Sequence, residues 1–214
     1  MSALFALDPA EGALFDTAGR RFDPEQRKWL TASRKKPRAA KAEMLDAIAA
    51  VSWLQRESNY PLREPIGVIG PRDATPAQRA AALEVGELLG DCRLAVLCGG
   101  RQGVMQSVCE GVARVGGLSI GLLPETDAAQ ANPFVGVAIA TGIGEARNAL
   151  IARASFCLIA IGDSLGTLSE VALARQFGKL VIGLEGAAKV EGVEQLHSPR
   201  DAVERVAQAI LGVA

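Results

Sequence analysis

Four glycine-containing segments of this 214-residue chain carry side chains in patterns suited to chemistry on an anion. The first is Ile69-Gly70-Pro71-Arg72-Asp73-Ala74-Thr75-Pro76. Its Thr-Pro step caps and starts a helix, so Arg72 in the preceding turn would face whatever sits at the end of the strand before it. The second, Cys98-Gly99-Gly100-Arg101-Gln102-Gly103-Val104-Met105, follows an apolar run and opens a helical one. Glycines there tolerate positive φ and close backbone approach, and the free N–H groups and dipole of a helix N-terminus attract a phosphate. The segment is neither GxGxxG nor a P-loop ending in Lys-Ser/Thr, so nothing points to ATP hydrolysis.

The third segment is Thr141-Gly142-Ile143-Gly144-Glu145-Ala146-Arg147-Asn148. It places Arg147 and Asn148 in a first helical turn, where a cation gains nothing from the dipole, so Arg147 makes sense there facing an anion or a carboxylate. Glu145 fits the dipole and reads as structural. In the fourth, Ile161-Gly162-Asp163-Ser164-Leu165-Gly166-Thr167-Leu168-Ser169-Glu170, Gly166 and Thr167 at a helix start can offer N–H groups and a hydroxyl to a phosphate. Glu170 lies one turn on along the same face. A carboxylate beside an arginine at a crevice mouth can act as base, acid or cation stabiliser.

These loops need elements to hold them. From Pro65 onward, short β-branched runs alternate with helical segments. Strands are expected at Ile66–Ile69, Leu94–Leu97, Leu118–Leu122, Val135–Ala140, Phe156–Ile161 and Leu180–Leu184, with helices at Pro76–Leu89, Gln102–Val115, Glu145–Ala154, Thr167–Phe177 and Pro199–Leu211. The strands are apolar throughout rather than alternating, which implies a parallel sheet with both faces covered. The predicted fold is α/β, a doubly wound Rossmann-like parallel sheet flanked by helices over residues 65–214. In such a sheet ligands bind beyond the carboxyl ends of the strands, where all four segments would lie. Residues 1–64 read as an N-terminal appendage. It would comprise a β-meander (Leu4–Leu7, Ala13–Phe15, Arg21–Phe22), a short helix Gln26–Ala32 started by Asp23-Pro24-Glu25, a basic run Arg34–Arg38, and a helical face within Ala39–Glu57. The turns and the basic run suggest a lid or a linker.

With 23 basic against 24 acidic side chains, the chain has no charge excess for neutralising a nucleic-acid backbone, so nucleic acid is not an expected partner. No apolar run approaches the roughly 20 residues of a membrane span, and a cytoplasmic protein without membrane contact is expected. Cys92, Cys98, Cys109 and Cys157 lack metal-ligand spacing and His197, the single histidine, reads as a surface or capping residue, so buried free thiols and no metal are expected.

The ordered set GGRQGVM, GGLSIGLLPE, GEARNALI, GTLSE and GKLVIGL, across about residues 65–185, resembles the family often described as possible lysine decarboxylases. That family is part of a Rossmann-like nucleotide-binding superfamily. It also includes the LOG cytokinin-activating phosphoribohydrolases, the molybdenum-cofactor carrier proteins and, more distantly, the DNA-processing DprA proteins. The wording GEARNALI and GTLSE leans toward the carrier branch. This resemblance implies a binding protein for a phosphorylated nucleotide-like ligand, with a nucleoside monophosphate or the molybdenum cofactor as ligand and no cofactor required for function. Gly99, Gly100, Arg101, Gly103, Gly166 and Thr167 would form the anion cradle, Arg72 and Arg147 would add charge-assisted hydrogen bonds, and Gly70, Val104, Met105, Asn148 and Glu170 would complete the site.

The alternative it implies is LOG-type hydrolysis of the N-glycosidic bond of a nucleoside 5′-monophosphate, with Arg147 and Glu170 at the catalytic positions. Asn148 stands where LOG enzymes have Lys, and Gly162–Thr167 replaces the Pro and both Gly of PGGxGT. Asp163 would bring a negative charge and a Cβ to a place where a phosphate needs backbone. No Lys is placed as a Schiff-base anchor, so pyridoxal-phosphate decarboxylation is not implied, and the acidic ribose contact of NAD proteins is absent. A third reading is a ligand sensor whose N-terminal segment contacts a partner. The resemblance also implies a homo-oligomer, a dimer or a tetramer.

Overall fold

The computed structural model describes residues 4–31 and 42–213. Its contacts divide it into two compact units, Met1–Leu62 with Val203–Ala214, and Arg63–Ala202.

In the first unit β1 (Phe5–Asp8) lies between β2 (Ala13–Phe15) and β5 (Glu43–Leu45), antiparallel to both, while β3 (Phe22–Asp23) and β4 (Lys28–Trp29) form a separate hairpin. Trp29 stacks on Phe5 at 5.6 Å between ring centroids and tilts against Phe22 at 5.0 Å. Its Nε1–H donates to the Leu211 carbonyl at 2.7 Å. Of the helix expected at Gln26–Ala32, the described residues 26–31 instead form a turn and the strand β4. The Asp23 carboxylate accepts from the N–H groups of Glu25 and Gln26, both at 3.0 Å, and Arg27 takes φ 51° to close the hairpin. The Asp-Pro signal serves a turn as readily as a helix cap, and the aromatic cluster holds the turn.

The helical face expected within Ala39–Glu57 begins later than its apolar pattern suggests. Glu43–Leu45 pairs with β1, and only then does Asp46, accepting from Ala49 N–H at 2.8 Å, cap α1 (Ala47–Glu57). The basic run Arg34–Arg38 lies outside the described residues.

The second unit is a seven-stranded sheet, parallel throughout: β6 (Ile66–Ile69), β7 (Val96–Cys98), β8 (Ser119–Leu123), β9 (Val137–Ala140), β10 (Leu158–Ile161), β11 (Val181–Leu184) and β12 (Val193–Gln195). The order is β12-β11-β10-β6-β7-β8-β9. Helices α2 (Pro76–Asp91), α3 (Val104–Arg114), α4 (Arg147–Ala154) and α5 (Leu165–Gln176) supply the crossovers, and α6 (Pro199–Ile210) begins in this unit and continues into the other. The chain builds outward from β6 to β9 and then returns to lay β10 on the other side of β6. That reversal makes the carboxyl ends of β6 and β10 the topological switch point, where an open α/β sheet forms its crevice.

Six strands match the expected apolar runs, and two features differ. Strand β9 is a half-open edge, with Val137 and Ile139 46% and 44% exposed, so its apolar run does not mark two covered faces. Strand β12, with Glu194 and Gln195, is a short polar edge strand that gave no hydrophobic signal. Edge strands lack a second neighbour and are free of the apolar requirement. No helix among the described residues is long and apolar enough to cross a membrane.

Candidate functional site

At the switch point the turns after β6, β7 and β10 and the entry to α4 converge on a cavity of about 650 Å³. Arg147 and Glu170 form its floor. Arg147 opens α4 after a 3-10 turn over Gly144–Ala146 and is only 4% exposed. Its Nη1 donates to Glu170 Oε1 at 3.2 Å and to Asn148 Oδ1 at 2.8 Å. Asn148 Nδ2 donates to Ser169 Oγ at 2.9 Å, and that hydroxyl donates to the Gly166 carbonyl at 2.7 Å, so a chain of hydrogen bonds ties the start of α4 to the start of α5. Gly99 has no side chain because none fits: a Cβ there would stand 2.6 Å from Arg147 Nη2 and 2.8 Å from Met105 Sδ.

Burial pushes the Glu170 carboxyl up to about 8, with Arg147 pulling it down and Glu145 adding to the rise. Desolvation wins because the contact is single and end-on, through a nitrogen that Asn148 also shares. Burial thus favours the protonated form of Glu170 and the Arg147 contact the ionised form, while the Nε–H of Arg147 is buried at the cavity floor without a hydrogen-bond partner.

At the rim, Arg72 is 45% exposed and reaches Glu145 at 3.5 Å across the mouth. Glu145 is thus part of the site rather than only a dipole partner. It is placed there by backbone bonds from Gly142 N–H to Glu125 O at 2.9 Å and from Gly144 N–H to Pro124 O at 3.0 Å. Helix α5 begins at Leu165, two residues earlier than the sequence suggested, because Ser164 is its N-cap. Ser164 Oγ accepts from Thr167 N–H at 3.1 Å and shares a hydrogen bond with Thr167 Oγ1 at 2.9 Å, so the Thr167 N–H group is spent on the cap. The N–H groups of Leu165 and Gly166, in the first turn, are the ones free of helical bonds at this end. Asp163 is exposed and lines the cavity just ahead of the first turn of α5.

Gly70, Arg72, Gly99, Met105, Arg147, Asn148, Gly166, Thr167 and Glu170 line the cavity together. Gly100, Arg101, Gly103 and Val104 lie behind it and shape it. Arg101 forms an ion pair with Glu125, just past β8. The Asn132 amide donates to the carbonyls of Gly100 at 3.2 Å and Arg101 at 3.0 Å, which holds the loop from the β8 side. Gly103 takes φ 70°, and a Cβ there would stand 2.2 Å from the Arg72 carbonyl oxygen, so the turn after β6 rests directly on it. Val104 N–H donates to Pro71 O at 3.1 Å. Burial, and after it the charge of Arg72, hold Arg101 below its ordinary pKa; Arg147 acts the same way and Glu145 opposes. Each of the three guanidiniums has a glutamate partner, Glu145 for Arg72, Glu125 for Arg101 and Glu170 for Arg147.

Asp73, Glu145, Ser164 and Ser169 line the cavity without having been singled out as ligand contacts. Ser164, three residues before Thr167, was readable as an N-cap; Ser169 is recruited only through Asn148, a contact that sequence spacing does not show. The four cysteines are free and buried, with Cys98 Sγ 3.5 Å from Cys109 Sγ behind the β7 loop. Among the described residues no three His, Cys, Asp or Glu side chains gather in a way that could hold a metal ion.

A model of the SLOG cluster4 family matches residues 63–210. An uncharacterized protein of Archaeoglobus fulgidus is 36% identical over 138 residues, 64% of this chain and 91% of that protein. Among solved structures, the molybdenum cofactor binding protein of Rippkaea orientalis is 36% identical with a TM-score of 0.66, covering 70% of this chain and 99% of its own. The molybdenum cofactor carrier protein of Chlamydomonas reinhardtii is 33% identical with a TM-score of 0.63 over the same shares. DNA processing protein A of Streptococcus pneumoniae, at 17% identity and a TM-score of 0.53 over 65% of this chain and 60% of that one, shares the fold alone. The fold, the ordered strand-end segments and these matches agree: the chain belongs to the SLOG cluster4 family.

Proposed function

We propose that this protein binds a phosphorylated, nucleotide-like small molecule at the switch-point cavity, as a carrier of the molybdenum-cofactor type. One observation carries the reading: Arg147 lies buried at the cavity floor with a single end-on contact to Glu170, and its Nε–H has no hydrogen-bond partner. A buried guanidinium with an N–H group left over is costly unless a ligand supplies a further acceptor. A phosphate seated there would also receive the free N–H groups of Leu165 and Gly166 and the guanidinium of Arg72. The relatives named for binding or carrying the molybdenum cofactor support the ligand class. The test is titration calorimetry with AMP and with adenosine. The phosphate should account for most of the affinity, and Arg72→Ala should weaken AMP binding about tenfold; equal affinity for AMP and adenosine would refute the reading.

A second reading, phosphoribohydrolase, is favoured by the same Glu170. A carboxyl that burial pushes up to about 8 is suited to donate a proton to a departing base. Release of free base from nucleoside 5′-monophosphates, lost in Glu170→Gln, would establish it. A cytoplasmic homo-oligomer, dimer or tetramer, completes the proposal. The exposed Val137, Ile139 and Leu150 are apolar surface suited to such an interface.

A further inference from the structure

Beside the first cavity lies a second of about 590 Å³, a groove over the seam where α2 and α3 pack closely, and the two share Arg72 and Asp73 in their walls. The turn after β6 is therefore a ridge between two depressions of similar size. Arg72 has guanidinium N–H groups to spare on this ridge, since it is 45% exposed and holds Glu145 only at 3.5 Å. The second cavity differs in chemistry from the first. Gln102, just before α3, and Gln106 and Ser107 on α3 bring amides and a hydroxyl, the ion-paired Glu110 and Arg114 close its far end, and α2 adds Arg79, which donates to the Ala74 carbonyl at 3.2 Å, beside the aliphatic Leu83. Side-chain amides offer a donor and an acceptor in one plane, which suits the edge of a nucleobase, and an aliphatic surface suits its face.

We infer that the ligand extends over the Arg72 ridge: the protein takes a dinucleotide, two nucleoside-like halves joined by a pyrophosphate, with the second half seated in the groove over the α2–α3 seam. This rests on the proposed binding of a phosphorylated nucleotide-like molecule at the first cavity and deepens it by naming the ligand class. Arg72 would bridge the pyrophosphate. Asp73, open to both cavities, is placed to accept from ribose hydroxyls. Gln102 and Gln106 would read the edge of the second base, while Arg79 balances charge at its rim. A group tethered to an already bound half needs few contacts to raise affinity, because its effective concentration is high.

The experiment is titration calorimetry of the full chain with AMP and with diadenosine pyrophosphate, repeated on Gln106→Ala and Arg79→Ala. Both substitutions are on the second cavity only. The dinucleotide should bind at least about tenfold more tightly than AMP. Each substitution should cut that advantage severalfold, and Gln106→Ala should leave AMP affinity unchanged. Equal affinity of the two probes in the parent chain, or an advantage that survives both substitutions, would overturn this inference and leave the first-cavity reading standing. Binding of neither probe would overturn both.

Discussion

Replacing Glu170 with glutamine mimics the protonated carboxyl and should make the protein more stable at high pH. Burial raises this carboxyl from an ordinary 4.5 to about 8. A carboxyl whose folded pKa is raised binds more protons folded than unfolded, so stability falls as pH climbs from the unfolded value to the folded one and levels off above it. At about 1.4 kcal/mol for each pH unit, full titration would cost at most about 5 kcal/mol, most of it incurred between pH 4.5 and 8. Glu170→Gln removes the titration while its amide oxygen still accepts from Arg147. Urea denaturation at pH 4.5, 7 and 9 is the assay. The two proteins should be similar at pH 4.5, and the variant should lead by a margin that grows toward pH 9. Parallel curves, or a variant that loses ground as pH rises, would refute the claim that burial pushes the Glu170 carboxyl up.

The same charge state sets binding. Ionisation of Glu170 neutralises Arg147, so AMP affinity should fall as pH rises through about 8 in the parent chain and stay flat in Glu170→Gln, as read by calorimetry. Gly99→Ala should cost about 1–3 kcal/mol in denaturant melts and weaken AMP binding, because the new methyl displaces the Arg147 guanidinium. Asn132→Ala removes the amide that holds the Gly100 and Arg101 carbonyls and should cost about 1–3 kcal/mol, with faster hydrogen exchange in the β7–α3 loop. Light scattering should report a dimer or tetramer that Ile139→Lys shifts toward monomer.

What the sequence disclosed followed from physics that acts locally. Ile66–Ile69 reads as a buried strand because every residue is apolar or glycine, and Thr75-Pro76 starts α2 because cap and proline act on neighbouring atoms. The four strand-end segments were legible for the same reason. The hairpin at Phe22–Trp29 was not, since the choice between turn and helix after Asp23 depends on Trp29 stacking on a distant Phe5. Within the site, sequence placed Arg101 and Arg147 on equal terms. The fold separates them: Glu125 past β8 draws Arg101 behind the cavity, while the bare backbone of Gly99 admits Arg147 to its floor. The upward push on the Glu170 carboxyl comes from burial by converging segments, and no spacing of residues encodes it.

The most direct test is equilibrium dialysis of the protein against the molybdenum cofactor, a panel of nucleoside 5′-monophosphates and the parent nucleosides, with chromatography of both chambers. A carrier should retain a phosphorylated ligand intact, ignore the unphosphorylated nucleosides and release no base. Free base that appears with the parent chain and vanishes with Glu170→Gln, or retention that does not depend on the phosphate, would contradict it.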